Sequence, residues 1–264
     1  MITEKSLPSM LKLLEELVVT ESPSQDRSAV NKVGKIITKE AKEIGATIKI
    51  IQNETTGDHI ITTFNHSTRK TEKEEKKGFL ILCHMDTVYP IGAIDRMPFH
   101  LKDSRILGPG VADMKSGAVI GLFAIKNLIE EGQMPNMPVT ILFTSDEETG
   151  SRTSRKLIEE LAVKSRLVLV LEPGMPDGSI KTWRKGVGNF HIEVYGQAAH
   201  SGGNHEKGRN AIEELAHQVI RVQGLTNYNR GTTLNVGICK GGTVVNVVPD
   251  LAWMDVDLRV LDPG

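Results

Sequence analysis

The stretch FLILC at residues 79–83 is followed directly by the polar run HMD at residues 84–86. Five apolar residues in a row are typical of a strand that is covered on both faces. Similar apolar runs recur along the chain as VTILFT (139–144) and RLVLVLE (166–172), and helical periodicity lies between them at 116–131 and 151–164. Buried strands that alternate with helices predict an α/β domain with a largely parallel sheet flanked by helices.

The pattern on either side of this region completes a two-domain prediction. Two amphipathic helices (6–19 and 27–44) and two strand-like runs (47–51 and 59–64) precede it. After EPGMPDG (172–178) the order becomes strand, helix, strand, strand: 188–196, 210–222, 232–242 and 243–260, the last interrupted at Pro249. We therefore expect a metal-binding catalytic domain over residues 1–178 and a smaller α+β domain over residues 179–264.

Composition excludes several classes of protein. The chain has 264 residues, 39% of them hydrophobic and 25% charged, which is ordinary for a soluble globular protein. A net charge of −1 gives no electrostatic support for binding nucleic acid or an anionic membrane. No apolar run is long enough to span a bilayer, and the beginning MITEKSLPSM does not resemble a secretory signal. Because two cysteines cannot form a disulfide framework, we expect a cytoplasmic protein.

Polar residues follow the predicted buried strands, at the sheet edge where α/β proteins bind ligands. His84 could bind a metal ion while Asp86 holds its other ring nitrogen, although a satisfied core histidine is the alternative. Glu172 ends an apolar run and needs a partner if it is buried, which a salt bridge would also provide. Cys83 should point away from His84 by strand alternation and pack as a small apolar side chain.

Two further acidic clusters lie near the same edge. Asp113 in GPGVADMK (108–115) comes just before a predicted helix, where it could bind a metal ion or simply cap the helix. Asp146, Glu147 and Glu148 follow VTILFT and repel one another unless a cation compensates them, although an acid-rich helix start is the alternative. One histidine with several carboxylates suits Zn²⁺, with Co²⁺ or Mn²⁺ as substitutes. The excess of carboxylates indicates two ions bridged by one of them.

The combined motifs resemble one family of enzymes. They are CHMDTVYPIG, MPF, GPGVADMKSG, SDEETGS, LEPG and GQAAHSG, in that order along the chain. Together they are similar to the zinc metallopeptidase family of glutamate carboxypeptidase, acetylornithine deacetylase and succinyl-diaminopimelate desuccinylase. HMDTVYP and the glutamate at position 172 favour the glutamate carboxypeptidase-like branch.

The resemblance implies a role for each candidate residue. In this family, a carboxylate that matches Asp113 bridges two zinc ions, and a general base that matches Glu147 activates the water between them. Asp86 matches the residue that orients the first histidine ligand. The implied metal ligands are His84, Asp113, Glu148 and Glu172.

The resemblance also extends to residues 179–264, which are similar to a lid domain inserted into the catalytic domain. This domain usually mediates dimerisation, so a homodimer is implied. His200 in AAHSG matches a histidine that reaches the partner subunit's active site and stabilises the oxyanion, although by itself it would be an ordinary loop histidine. Asn246 and Arg259 match lid residues that contact substrate.

The chain departs from the family at its end. In the family, the chain returns from the lid to the catalytic sheet and supplies a final histidine, which binds the metal held by Glu148. This sequence stops at Gly264, and none of its eight histidines lies in a matching late motif. We therefore expect a C-terminally truncated chain with an incomplete second metal site, either a fragment of a longer enzyme or a natural truncation with lost or altered activity.

The expected reaction is hydrolysis of an amide or peptide bond beside a free carboxylate, as in a glutamate carboxypeptidase-like exopeptidase. Two Zn²⁺ ions would activate the attacking water. The expected substrate is a small peptide or an N-acyl amino acid. Two alternatives remain: an N-acyl-amino-acid deacylase or dipeptidase of the same family, and a truncated, non-catalytic fragment.

Overall fold

The structure is a computed structural model that describes residues 5–65 and 77–261. The chain divides into two compact units, Met1–Gly174 and Met175–Gly264. Among the described residues, no helix combines the length and the apolar character needed to cross a bilayer.

The first unit begins with two helices that have clear start or stop signals. Helix α1 (Leu7–Val19) has a proline in its first turn, where the missing amide proton costs no hydrogen bond. Helix α2 (Arg27–Ile44) starts at Asp26, whose side chain accepts a hydrogen bond from the amide of Ala29, and ends at the left-handed Gly45. Each helix buries one apolar face, as the sequence predicts.

The remaining elements of the first unit form one large sheet, a small hairpin and three helices. In chain order they are β1 (Thr47–Ile51), β2 (His59–Phe64), β3 (Gly78–His84), α3 (Ala93–Arg96), β4 (His100–Lys102), β5 (Arg105–Leu107), α4 (Ser116–Glu130), β6 (Val139–Thr144), α5 (Arg155–Val163) and β7 (Ser165–Val170).

The large sheet has the strand order β1-β2-β6-β3-β7 and is mixed. Strand β3 is parallel to both β6 and β7, whereas β1 and β2 pair antiparallel. The predicted α/β class is confirmed, and the parallel part consists of the three apolar runs that carry the polar residues. Because β3 and β6 run in register from Phe79 and Val139 to His84 and Thr144, their carboxyl ends meet at one edge.

The third apolar run is not the buried strand that the sequence predicts. Leu167, Leu169 and Val170 in β7 are 47%, 43% and 55% exposed. The reason is position, because among the described residues β7 pairs with β3 alone and so forms an edge of the sheet. Strands β3 and β6, with neighbours on both sides, bury Leu80, Leu142 and Phe143 completely.

The second unit is a three-stranded antiparallel sheet with one helix. Its elements are β8 (Gly186–Tyr195), α6 (Ala211–Gln223), β9 (Thr233–Gly241) and β10 (Leu251–Val260), and the strand order is β8-β10-β9. Leu215 of α6 packs with Ala252, Met254 and Val256 of β10 in a separate core. The strand predicted at 243–260 is wrong over its first part, because Gly242 is left-handed and the regular strand begins only after Pro249.

Helix α4 lies very close to the backbone that leads out of β7. A side-chain carbon added at Gly117 would collide with the main-chain oxygen of Leu171, the residue before Glu172. One turn later, a side-chain carbon added at Gly121 would have the flexible end of the Leu171 side chain as its nearest neighbour, at 3.0 Å from Cδ1. The absence of a side chain at Gly117 therefore sets the distance between α4 and the segment that carries Glu172.

The first prediction concerns this close approach. Replacing Gly117 with alanine should lower the free energy of unfolding by about 1–3 kcal/mol, because backbone must move to relieve the collision. Urea denaturation followed by circular dichroism measures the change.

Gly121→Ala is the matched control on the same helix. It gains about 1 kcal/mol of helix propensity and displaces only a flexible side chain, so its stability should stay close to that of the unmodified chain. Equal stability of the two variants would show that the close packing at Gly117 has no energetic importance.

Candidate active site

His84 lies at the end of β3, and its buried ring contacts three acidic residues. Its Nδ1 atom is 2.9 Å from the main-chain oxygen of Asp86. Its Nε2 atom is 3.0 Å from Oδ1 of Asp113 and 3.4 Å from Oε1 of Glu172. The ring nitrogen that faces the carboxylates is thus separate from the one fixed by the main chain, as in histidines that bind metal ions.

His84, Asp113 and Glu172 could hold one metal ion together. Each offers one ligand atom, and these three atoms all lie within 4.8 Å of one another. One imidazole nitrogen with two carboxylate oxygens is a donor set that Zn²⁺ accepts, and three protein ligands leave a coordination position for water or substrate. The residues therefore fit the metal that the sequence predicts.

The carboxylates around His84 change the pKa of its imidazole ring. Burial disfavours a charged imidazole, yet the hydrogen bonds and charges of Asp86 and Glu172 raise the pKa of His84 to about 11. A proton on the ring thus offsets the negative charge around it. A metal ion must displace that proton, so metal binding should release protons.

Asp86 meets the Nδ1 side of the His84 ring with two of its oxygens. Its main-chain oxygen is 2.9 Å from Nδ1, and its carboxylate oxygen Oδ1 is 3.5 Å from the same atom. The buried carboxylate also accepts hydrogen bonds from Ser24 Oγ at 2.7 Å and from the amides of Glu147 and Glu148 at 3.3 and 3.2 Å. Asp86 therefore connects the end of β3 to the acidic segment after β6.

Glu147 and Glu148 lie in a short 3₁₀ turn, Glu147–Thr149, which ends at the left-handed Gly150. The predicted alternative of an acidic helix start does not hold, because α5 begins only at Arg155. Partial burial and neighbouring carboxylates raise the pKa of both side chains, that of Glu148 to about 7. The charges of Asp113 and His84 act on both, which indicates that this turn shares the electrostatic environment of the His84 cluster.

Asp113 is not the helix cap that the alternative reading requires. Its carboxylate is half-exposed and points to His84, while α4 begins three residues later without a side-chain cap. Lys115, in the same segment, is buried, and burial lowers its pKa to about 7 against the opposing charge of Glu21. Cys83 packs in the core as predicted, and burial raises the pKa of its thiol.

A partly buried polar network beside the acidic turn has no signal in the sequence. Nδ1 of His59 accepts a hydrogen bond from the amide of Ser145 at 3.3 Å, so Nε2 carries the proton and donates it to Oγ1 of Thr153 at 3.0 Å. Thr153 in turn donates to Asp146 at 2.8 Å. Burial lowers the pKa of His59, which keeps the neutral ring that this network needs. His59 lies far from the acidic run in sequence, and no motif marks it.

The remaining candidates lie in the second unit. His200 bridges to Val247, and the amide of Ser201 donates to the main-chain oxygen of Asn246, so His200 and Asn246 are near each other. Nδ1 of His200 accepts hydrogen bonds from the amides of Gly202 and Gly203, both at 3.1 Å. Arg259 is not part of this group. It pairs with Asp257 at the far end of β10 from the loop that holds Asn246.

Comparison with known families agrees with the motifs. A family model described as peptidase family M20/M25/M40 matches residues 80–239, which is more than half of the chain. The chain belongs to this peptidase family, and the resemblance seen in its sequence is confirmed.

Two curated relatives show the range of named activities. Carboxypeptidase G2 of a Pseudomonas species is 32% identical over 255 residues, which are 96% of this chain and 60% of that protein. Acetylornithine deacetylase of Proteus mirabilis is 28% identical over 281 residues, which are 98% of this chain and 68% of that protein. The chain thus spans only about 60% of the length of carboxypeptidase G2.

Solved structures share the fold. An M20 family metallo-carboxypeptidase from Sulfolobus solfataricus superposes with a TM-score of 0.74 at 19% identity, covering 99% of this chain and 72% of that one. A tripeptidase from Staphylococcus aureus gives a TM-score of 0.71 at 22% identity, covering 96% and 66%.

The second prediction follows from the raised pKa of Glu148. Between pH 4.5 and about 7, Glu148 holds a proton in the folded chain that it has lost in the unfolded chain. The contribution of Glu148 to the free energy of unfolding is therefore highest below pH 4.5 and falls as the pH rises to about 7. In the metal-free chain, Glu148→Gln should be neutral at pH 4.5 and stabilising by about 1 kcal/mol at pH 7.5, a figure reduced for solvent screening. Urea denaturation in a chelator at both pH values measures it.

Glu130→Gln, at the exposed end of α4, is the control and should show no such pH dependence. Sodium chloride at 0.5 M should reduce the gain of Glu148→Gln, because salt screens carboxylate repulsion. A variant that is destabilised at pH 7.5 would contradict the repulsion argument.

Proposed function

We propose that this chain forms the metal-binding part of a zinc-dependent hydrolase that cleaves an amide or peptide bond beside a free carboxylate. The observation that carries the proposal is the convergence of His84, Asp113 and Glu172 at ligand distance from one another. Membership of the peptidase family and the likeness to carboxypeptidase G2 support the type of reaction.

The ligands divide between two ions in this proposal. His84 and Glu172 would hold one zinc ion, Glu148 would hold the other, and Asp113 would bridge them. Bound zinc supplies a Lewis acid, which polarises the scissile carbonyl and lowers the pKa of a water molecule. Partial burial and the charge of Asp113 raise the pKa of Glu148, which supports a cation at this position, since a cation would stabilise the charged carboxylate.

Glu147 is the proposed general base. Its amide donates to Asp86, and its side chain is partly exposed to solvent, where it could reach a water molecule. Its own partial burial and the nearby carboxylates raise its pKa, which makes it a better proton acceptor. It would take a proton from the attacking water and then give that proton to the leaving amine.

His200 is proposed to donate a hydrogen bond to the oxyanion, reaching the site of a second copy of the chain in a homodimer. Because the amides of Gly202 and Gly203 occupy Nδ1, a neutral His200 carries its proton on Nε2, where it is exposed. That arrangement supports a donor role. Asn246 and Arg259 are proposed to contact the substrate.

A second candidate substrate class has support of its own. The match to acetylornithine deacetylase extends over 98% of this chain, so an N-acyl amino acid is the alternative to a peptide that ends in glutamate. A panel of N-acyl amino acids and dipeptides with acidic or neutral C-terminal residues separates the two. A chain without activity on any of them would be a non-catalytic fragment.

The third prediction concerns metal content. The purified chain should bind at least one zinc ion, and His84→Ala should abolish that ion, because it removes the only nitrogen ligand of the cluster. Elemental analysis after dialysis measures zinc per chain. Calorimetry in buffers of different protonation enthalpy should show proton release.

His217→Ala, on the exposed face of α6 in the second unit, is the matched control and should leave the zinc content unchanged. One zinc ion per chain would correspond to His84, Asp113 and Glu172 alone, and two would include Glu148. Zinc content that survives His84→Ala contradicts the proposed site.

The fourth prediction separates proton transfer from metal binding. Glu147→Gln should keep the zinc content and lower turnover about 10²–10⁴-fold, since only the proton acceptor is lost. Hydrolysis of an N-acyl glutamate, followed by release of free glutamate, measures it. Thr149→Ser, in the same turn, is the control, and full activity in Glu147→Gln would refute the assignment of the base.

A further inference from the structure

Lys115 is a buried charged residue that the proposed reaction does not use. It lies two residues after Asp113, and only 2% of it is exposed. Burial of an ammonium group is costly unless hydrogen bonds replace the lost water. Its partners therefore show what this residue does.

The partners of Lys115 are main-chain oxygens at the end of α1. Its Nζ donates to the oxygen of Leu17 at 2.7 Å and to that of Thr20 at 3.2 Å. The last carbonyls of a helix have no partner within the helix and carry partial negative charge. Lys115 thus satisfies the end of α1 and at the same time fastens the segment that carries Asp113 to it.

The residues after α1 contact the other loops of the site. We name Thr20–Ser24 the connector. Glu21 accepts hydrogen bonds from the amides of Gly92 and Ile94 at 2.8 and 3.0 Å, at the start of α3. Ser24 donates to the carboxylate of Asp86 at 2.7 Å, and the amide of Thr87 donates to the oxygen of Ser22 at 2.8 Å.

Lys115 attaches residues 108–115 to the end of α1 and to the connector, while Ser24 attaches Asp86 to the connector. On the side of β3, the amide of His84 donates to Sδ of Met114 at 3.1 Å. Within its own segment, the Asp113 loop has the main-chain bonds Val111 N to Gly108 O at 3.3 Å and Lys115 N to Gly110 O at 3.0 Å. These two bonds shape the loop. Its position relative to His84 depends on the contact of Met114 with β3 and on the contacts of Lys115 with the end of α1.

The attachment does not depend on the charge of the amine. A protonated amine has three donors and a neutral one has two, so both carbonyl contacts persist in either state. The contacts also explain why the residue is long and linear: the amine must extend from the start of α4 to the end of α1.

We propose that Lys115 is a positioning residue that holds Asp113 at its distance from His84 by fastening the Asp113 segment to the end of α1. This inference rests on the proposed function only where Asp113 is taken to bind a metal ion. The positioning itself is a property of the metal-free chain and can be tested there.

The fifth prediction is the test. In metal-free protein, Lys115→Met, which keeps the apolar stem and removes the donor, should raise amide hydrogen exchange of residues 108–115 at least ten-fold. Exchange in β2 and in the second unit should stay unchanged. The zinc dissociation constant should rise about 10–100-fold, the usual effect of losing a residue that supports a ligand. Mass spectrometry of peptic fragments and zinc titration measure the two effects.

Lys126→Met is the matched control. It makes the same substitution within α4, where the amine lies 5.2 Å from the centre of the Phe123 ring. It should alter neither exchange at 108–115 nor zinc affinity. A purely structural role of Lys115 would raise exchange throughout the first unit, and that result, like unchanged exchange at 108–115, overturns the proposal.

A second measurement covers the case in which Lys115→Met does not fold. Native-state exchange of the unmodified chain in low urea should then show residues 17–20 and 110–115 opening as one unit, with equal opening constants. Constants that differ ten-fold or more overturn the proposal. If exchange responds as expected but the unmodified chain binds no zinc, the positioning stands and the proposed function fails.

Discussion

Carboxylates crowd around a single buried imidazole, and the surrounding structure is arranged to keep them there. Asp113 and Glu172 face the same nitrogen of His84, and Glu147 and Glu148 are close enough to feel their charge. Like charges at this spacing repel, so the folded chain needs positive charge at this edge of the sheet. A proton on His84 provides some of it, and the site has the donors for a metal ion to provide more.

Main-chain amides and carbonyls hold these side chains in place. The carboxylate of Asp86 accepts hydrogen bonds from the amides of Glu147 and Glu148 and from Ser24 of the connector, while Lys115 donates to the end of α1. Such contacts depend on the parallel register of β3 and β6, which brings the two loop origins together. The fold thus determines the distances, and the side chains at the strand ends determine the chemistry.

Much of this arrangement follows from local sequence. The residues of FLILCHMD show both the strand and the polar end that carries His84, because burial on two faces leaves a continuous apolar run. What local sequence could not show depends on neighbours distant in the chain. The exposure of β7 reflects the absence of a described strand beside it, and the run RLVLVL has the same composition as a central strand.

The same limit applies to the polar residues. His59 contacts Ser145, which is 86 positions away along the chain, and Lys115 contacts Leu17, which is 98 positions away. No sequence motif predicts either contact. The contacts of Asp86 with Ser24 and with the amides of Glu147 and Glu148 likewise depend on segments that are distant along the chain. The identity of a residue at a strand end is therefore easier to predict than its full set of hydrogen-bond partners.

The open edge at β7 has a consequence for contacts between separate chains. Its outer row of amides and carbonyls pairs with nothing among the described residues, and Leu167, Leu169 and Val170 are partly in water beside it. An apolar edge of this kind is a template for adding another strand. Among the described residues, β7 is therefore a place where backbone pairing with another chain could begin.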